Sequence, residues 1–110
     1  MWIELDTKDF LDAIRKIKPQ KLLKRVKLQE VWIGYGEDTF ILDLEGAEVT
    51  KSAQGSWHGF ATISLEKLLA FLNIPPVSSI TRIEFSDGFL KIDSSKLKSD
   101  WLIADPSRDE

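Results

Sequence analysis

The sequence has 110 residues, of which 43% are hydrophobic and 30% are charged, and it contains no cysteine. This composition is typical of one ordinary globular domain, and it excludes disulfides, thiolate metal ligands and cysteine nucleophiles. No apolar run is as long as a membrane span, and the first residues carry acids where a secretory signal carries bases. We therefore expect a cytoplasmic protein that does not enter a membrane, with one domain over residues 1–104 and a flexible tail over residues 105–110.

The formal net charge is −3, but the charges are unevenly distributed. Residues 1–27 hold eight basic and four acidic side chains, whereas residues 28–110 hold seven basic and fourteen acidic ones. This asymmetry predicts a basic and an acidic face, which matter for the choice of partner. Basic side chains of the first helix and of the connector after it are candidate contacts to a DNA backbone: Lys8, Arg15, Lys16, Lys18, Lys21, Lys24 and Arg25. The alternative is a solvated helix end followed by an exposed loop.

The first elements predicted are a strand and an amphipathic helix. The strand covers residues 2–5, and Asp6 or Thr7 is placed to cap the helix. The helix is expected to end near Lys18, because Pro19 disfavours helical dihedrals in the residue before it. Its apolar side chains recur at helical spacing and predict the face that packs on the core: Phe10, Ala13, Ile14 and Ile17.

Alternating apolar and polar residues then predict three strands. The first covers residues 26–35, and because its apolar phase slips, we expect a bulge near Gln29 and Glu30. Strands over residues 40–45 and 47–51 follow, separated by turns that contain glycine.

The segment over residues 55–72 is predicted to be a strand that turns directly into the second helix. Trp57 lies on one strand face with Ala61 and Ile63, and Ser64 stands at the N-cap position. Leucines then recur at helical spacing until two consecutive prolines end the helix.

A hairpin and a final strand are predicted after the second helix. A strand over residues 80–86 turns at Asp87-Gly88 into its partner, because this dipeptide suits a two-residue turn with positive φ. A turn over residues 94–96 and a last strand over residues 97–103 follow.

The two halves of the sequence resemble each other. Residues 3–6, a strand end with its capping residue, correspond to residues 61–64, and each is followed by a helix, a strand, an acidic turn and another strand. The predicted fold class is α+β, with two strand–helix–strands repeats. Both helices are expected to pack on one face of a mostly antiparallel sheet of seven or eight strands.

This order of elements resembles one domain of a DNA sliding clamp, the family of ring-shaped polymerase processivity factors. The resemblance covers about residues 2–102 and is carried by DFLDAIRKI, GSWHGFATISLEKLLAFL and ITRIEFSDGFLKID. It implies a DNA-clamp-like fold, strand pairing between neighbouring subunits, and helices that face duplex DNA without reading its sequence. Clamp subunits join two or three such domains, whereas this chain has one, so a ring of the familiar size would need six copies.

No motif in the sequence predicts catalysis, a cofactor or a metal ion. His58 is the one histidine and lacks the spacing of a metal site, and Ser64, although it begins an SxxK match, is explained as a helix cap. We therefore predict that the protein is not an enzyme, and the sequence identifies no small-molecule substrate. Two tryptophans are candidate interface residues, with burial in the core as the alternative: Trp32 and Trp101.

The sequence thus predicts a non-catalytic binding and assembly module. We expect a homo-oligomer that contacts duplex DNA through the first helix and its connector. The alternative is a regulatory module of the same fold that binds a protein and no DNA, with its acidic sheet face over residues 30–48 and 84–93 as the working surface.

Overall fold

The computed structural model describes residues 1–17, 29–99 and 101–102, and within them the chain forms two helices and ten strands. Helix α1 covers Thr7–Ile17, and helix α2 covers Leu65–Leu69 and continues as a 3-10 turn over Ala70–Leu72. The strands in chain order are β1 (Trp2–Asp6), β2 (Glu30–Gly36), β3 (Thr39–Leu44), β4 (Ala47–Ser52), β5 (Gln54–Ser56), β6 (Phe60–Ser64), β7 (Ile80–Ser86), β8 (Phe89–Ile92), β9 (Ser95–Lys98) and β10 (Trp101–Leu102).

The strands form two sheets of five. The first sheet has the order β5-β1-β7-β8-β9 and the second has the order β10-β6-β2-β3-β4. Every pair of neighbouring strands is antiparallel. The α+β class is therefore confirmed, but the expectation of a single sheet of seven or eight strands was wrong.

The two sheets have corresponding strand orders. Replacing each strand of the first sheet by the strand five places away in the chain gives the order of the second sheet. The hydrogen bonds at the helix starts correspond as well: Thr7 N–H donates to the carbonyl of Ser79 at 2.9 Å, and Leu65 N–H donates to that of Gln29 at 2.8 Å. Each helix thus begins against the residue just before a strand that belongs to the other half of the chain.

The chain crosses between the sheets where we predicted uninterrupted strands. The expected strand over residues 55–63 is two strands, β5 paired with β1 and β6 paired with β2. The break falls at residues 57–59, where Gly59 has a φ of 87°. Trp57 is buried there and shares its parity with buried Ala61 and Ile63, so the apolar alternation continues across the break and hides it.

The same difference occurs at the end of the second half. The predicted strand over residues 97–103 is instead β9, which begins at Ser95, and β10, which pairs with β6 in the other sheet. The predicted start of the earlier strand at Val26 lies outside the described residues, as do Ile103, the domain boundary at residue 104 and the tail over residues 105–110.

The core lies between the sheets and the helices. Helix α1 contacts β3 and β4 of the second sheet and β1 and β7 of the first. Phe10 is fully buried, with its ring centroid 6.1 Å from that of Phe40 on β3 and 5.8 Å from that of Phe71 after α2. The apolar stripe predicted for α1 is confirmed, because its four members are all buried.

Side-chain hydroxyls act at both helix starts, in different ways. Ser64 is the predicted cap of α2, and its Oγ accepts a hydrogen bond from the N–H of Lys67 at 3.2 Å. Thr7, one of the two predicted caps of α1, directs its hydroxyl away from its own helix and donates to the carbonyl of Ser78 at 2.6 Å. Its Oγ1 is also 2.7 Å from the hydroxyl of Thr81 on β7.

Candidate functional site

The outward face of α1 carries three of the predicted DNA contacts. Lys8, Arg15 and Lys16 are exposed, but Asp12 on the same helix lies 3.1 Å from the ammonium of Lys16 and also contacts Lys51 of β4. One carboxylate therefore compensates part of the positive charge of this face. The remaining predicted contacts, Lys18, Lys21, Lys24 and Arg25, lie outside the described residues.

The contact between α1 and β4 changes the titration of both its members. The hydrogen bond from Lys51, and then that from Lys16, hold the pKa of the Asp12 carboxyl below its usual range. The hydrogen bond to Asp12 in turn raises the pKa of the Lys51 ammonium. This ion pair therefore ties the helix to the second sheet across neutral pH.

Trp32, a predicted interface residue, lies on the outer face of the second sheet. It is half-buried, and its ring centroid is 5.7 Å from that of half-buried Phe60 on the neighbouring strand. Phe60 in turn covers Gly34, because a Cβ at that position would lie 2.5 Å from the Phe60 ring. Trp101 of β10 pairs with Ala61 of β6, and its side chain lies outside the described part of the structure.

The outer face of the first sheet has a charged group at the corresponding place. The Arg82 guanidinium lies 4.8 Å from the centroid of the Trp2 ring and 2.7 Å from a carboxylate oxygen of Glu4. Its Nε is also 3.6 Å from a carboxylate oxygen of Glu84. The two outer faces therefore differ, one with a pair of aromatic rings tilted 59° to each other and the other with a cation held by two acids.

Two clefts occupy corresponding places in the two halves of the chain. The first, of about 770 Å³, has four acidic side chains and no basic one among the described residues that line it: Glu4, Asp6, Asp9 and Asp38. We call it the acidic cleft. The second, of about 560 Å³, is lined by Ser64, Lys67 and Gly88 at the positions that correspond to the three aspartates, and by Glu30. The same place in the fold is thus strongly acidic in one half, whereas in the other it carries one base and one acid.

Residues 73–79, between α2 and β7, form an exposed apolar segment that the sequence reasoning missed. In the sequence, the two prolines indicate only the end of the helix. Ile74 and Val77 are 80% and 102% exposed, and Ile80, the first residue of β7, is 43% exposed. A count of charges along the sequence could have indicated this surface, since none occurs between Lys67 and Arg82. We call residues 73–79 the prolyl loop.

The outermost long strands of the sheets are β4 in the second and β9 in the first. The turn at Glu45-Gly46, with φ values of 50° and 90°, joins β3 and β4 as a two-residue hairpin. Backbone groups in such a hairpin point alternately toward and away from the partner strand, so the N–H groups of Glu48, Thr50 and Ser52 point to the open edge. The open edge of β4 therefore offers backbone donors beside a carboxylate, whereas β9 carries Lys96.

The described residues contain no group of three or more His, Cys, Asp or Glu side chains arranged to hold a metal ion. His58 is exposed in the crossing between β5 and β6. Asp43, one of the hairpin acids, accepts a hydrogen bond from the N–H of Gly46 at 2.9 Å, and Glu45 accepts one from the Gln29 side chain at 2.7 Å. These two carboxylates therefore accept hydrogen bonds at the hairpin between β3 and β4.

No protein-family model matches the sequence, and no curated protein is significantly similar to it. In the part of the chain that the structure describes, no helix has the length and apolar character needed to cross a membrane.

Proposed function

We propose that the protein is a non-catalytic assembly module with a fold like one domain of a DNA sliding clamp, and that copies associate through the edges of their sheets. The observation that carries this proposal is the correspondence of strand order between the two sheets. It gives the chain two halves, each with a strand, a helix and further strands, and it supports the resemblance on which the proposal rests.

The open edges supply the means of association. Strand β4 presents outward backbone groups with Glu48 beside them, and β9 presents Lys96. Pairing β4 of one copy with β9 of the next would satisfy backbone groups on both and place unlike charges together. Because the two edges differ, the contact is head-to-tail and leads to a ring or an open chain of copies.

Replacing Thr50 by proline tests the edge contact. Thr50 is exposed and its N–H points to the open edge. Proline at this position therefore removes a donor to the neighbouring copy, and it breaks no hydrogen bond between β3 and β4. We expect sedimentation equilibrium to show association of the wild type and weaker association of Thr50→Pro. Thr50→Val keeps the N–H and is the matched control. A wild-type chain that stays monomeric at every concentration would contradict the proposal.

DNA contact is the second part of the proposal. Exposed Lys8 and Arg15 lie seven residues apart, on one side of α1, and both are suited to phosphate oxygens. A salt titration of binding to duplex DNA tests it, because neutralised phosphates make affinity fall with salt. We expect the double variant Lys8→Glu, Arg15→Glu to lose salt-sensitive binding. The charge-conserving double variant Lys8→Arg, Arg15→Lys is the matched control and is expected to keep salt-sensitive binding.

A second candidate is a regulatory module of the same fold that binds a protein and no DNA. It is favoured by the charge of the described helices, since Asp9 and Asp12 offset part of the three bases on α1, and Glu66 and Lys67 cancel on α2. A duplex-facing surface needs a clear excess of positive charge. If the wild-type chain associates but does not bind DNA in a salt-sensitive way, this second candidate would be supported.

A further inference from the structure

We propose that the prolyl loop of one copy docks into a cleft around Met1 on the next copy, as a second contact beside the paired strand edges. This inference rests on the self-association proposed above, and its test separates the two contacts. The carrying observation is that the exposed large apolar side chains of the described residues fall in two places: Ile74, Val77 and Ile80 at the loop, and Met1 at the cleft.

The prolyl loop has the properties of a preformed ligand. Pro75 and Pro76 each fix φ near −65°, so little backbone freedom is lost when the loop is bound. Ile74 and Val77, on either side of the prolines, expose nearly their whole side chains. Exposed aliphatic side chains on a rigid backbone, with no charge nearby in the sequence, favour an apolar protein surface as the partner.

Hydrogen bonds hold both ends of the loop. At its start, the N–H groups of Asn73 and Ile74 donate to the carbonyl of Ala70 at 3.1 and 3.0 Å. At its end, the carbonyls of Ser78 and Ser79 accept from the hydroxyl and the N–H of Thr7. The apolar side chains are therefore presented from a fixed base.

Acidic side chains stand beside the loop and limit the choice of partner. Ile80 lines the acidic cleft together with Glu4, Asp6 and Asp9. Nucleic acid and anionic membrane surfaces would be repelled by these carboxylates. A complementary partner has an apolar depression with basic side chains at its rim.

The chain itself carries such a depression at the other end of β7. A cleft of about 690 Å³ is lined by Met1, Phe85 and Phe89, with Lys91 and Lys96 at its sides. The Lys96 ammonium lies 4.4 Å from the centroid of the Phe89 ring. Glu84 and Asp87 also line this cleft, and the Arg82 guanidinium, which lies 3.6 Å from Glu84 and 2.7 Å from Glu4, offsets part of the acidic charge.

The positions of the two surfaces prevent a contact within one molecule. The loop precedes Ile80, the first residue of β7, whereas the cleft adjoins Glu84 to Asp87 at the end of that strand. A seven-residue strand separates its ends by about 20 Å. The loop of one copy can therefore reach only the cleft of another, and since the two surfaces differ, the contact is head-to-tail.

Sedimentation equilibrium of the full chain and its variants tests the proposal. Val77→Ser and Ile74→Ser change exposed side chains and leave the core intact, and each is expected to weaken association at least about tenfold. Ala70→Ser, also an apolar-to-polar change at an exposed position but at the base of the loop, is the matched control. Lys91→Glu changes the cleft instead and leaves the edge strand β9 unaltered, and it is expected to weaken association because its new charge faces the acids beside the loop.

Mixing the variants tests the head-to-tail geometry. Val77→Ser has an intact cleft and Lys91→Glu an intact loop, so an equimolar mixture is expected to associate more strongly than either variant alone. Unchanged association of Val77→Ser and Ile74→Ser, with Thr50→Pro disruptive, would overturn the loop contact and leave the edge contact standing. If the loop variants lose association and Thr50→Pro does not, the loop contact would be supported and the edge contact overturned. A monomeric wild type would overturn both.

Discussion

The hydroxyl oxygens of Thr7 and Thr81 lie 2.7 Å apart in the interior, although the two residues are separated by 74 positions in the chain. The single hydroxyl proton of Thr7 is directed to the carbonyl of Ser78, so the hydroxyl of Thr81 is the donor to Thr7. This short relay joins the start of α1 to the first sheet and to the end of the prolyl loop.

Replacing Thr7 by valine should therefore cost more stability than replacing Thr81. Thr7→Val leaves both the Thr81 hydroxyl and the Ser78 carbonyl without their partner, and we expect a loss of about 1–3 kcal/mol in the free energy of unfolding. Thr81→Val keeps the bond to Ser78 and should cost less. Urea denaturation of both single variants measures the difference, and equal costs would contradict the assigned direction of donation.

The ion pair between α1 and β4 predicts how stability depends on pH. Because the pKa of Asp12 is lowered, its contribution is complete above about pH 3.9, the pKa of an unfolded aspartate, and is lost as pH falls through the lower folded value. Because the pKa of Lys51 is raised, its contribution is complete below about pH 10.4 and is lost as pH rises through the higher folded value.

Asp12→Asn tests this dependence. We expect the variant to be less stable than the wild type at neutral pH and to lose less stability than the wild type on acidification. Urea denaturation over a series of pH values measures both effects. Glu48→Gln, which removes an exposed carboxylate from β4, is the control, and an acid limb unchanged in Asp12→Asn would count against the ion pair.

Alanine at Gly55 and at Gly34 should have different effects. At Gly55 a Cβ would lie 2.5 Å from the carbonyl oxygen of Trp2, which belongs to the paired backbone of β1 and cannot move away. At Gly34 the nearest atoms belong to the ring of Phe60, the end of a half-buried side chain rather than paired backbone. We expect Gly55→Ala to cost about 1–3 kcal/mol and Gly34→Ala to cost less.

Thermal unfolding compares these two variants with Gly36→Ala. A Cβ at Gly36 would meet nothing within 4 Å, so that variant should be neutral or slightly stabilising, because alanine loses less backbone freedom on folding. A larger loss for Gly34→Ala than for Gly55→Ala would show that the Phe60 ring is more firmly held than the edge of β1.

Truncation of the buried helix residues tests the packing of the core. Phe10 and Leu68 are both fully buried. We expect Phe10→Ala and Leu68→Ala each to lower the free energy of unfolding by about 2–5 kcal/mol, through lost burial and the cavity left behind. Leu69→Ala, at a partly buried position beside Leu68, should cost less. A cost near zero for Phe10→Ala would mean that α1 presents another face to the sheets.

Local signals in the sequence were sufficient for the helices and the hairpins. The leucine spacing after Ser64, the apolar stripe of α1 and the turn at Asp87-Gly88 depend on residues close together in the chain, and the structure confirms them. The basic helix face was also predictable from Lys8 and Arg15. The pair of Asp12 with Lys16 was predictable too, because the two residues are one helical turn apart. The contact of Asp12 with Lys51 was not predictable, because Lys51 lies on a strand that is distant in the sequence.

The division into two sheets was not predictable from alternation alone. The parity of side chains reports which face is buried, but it does not report which strand is the neighbour. Trp57 keeps the parity of β6 while the backbone leaves one sheet for the other, so the break remained hidden. The exposed loop was missed for a related reason, because an apolar residue such as Val77 gives the same signal whether it is buried or exposed.

Because each half of the chain supplies strands to both sheets, neither half can bury its own apolar face without the other. A shorter chain with one half alone would complete these sheets only as a pair of identical molecules related by a two-fold axis. In such a pair the two clefts would be forced to have the same lining. Joining the halves in one polypeptide removes that constraint, and it allows one cleft to hold three aspartates where its counterpart holds serine, lysine and glycine.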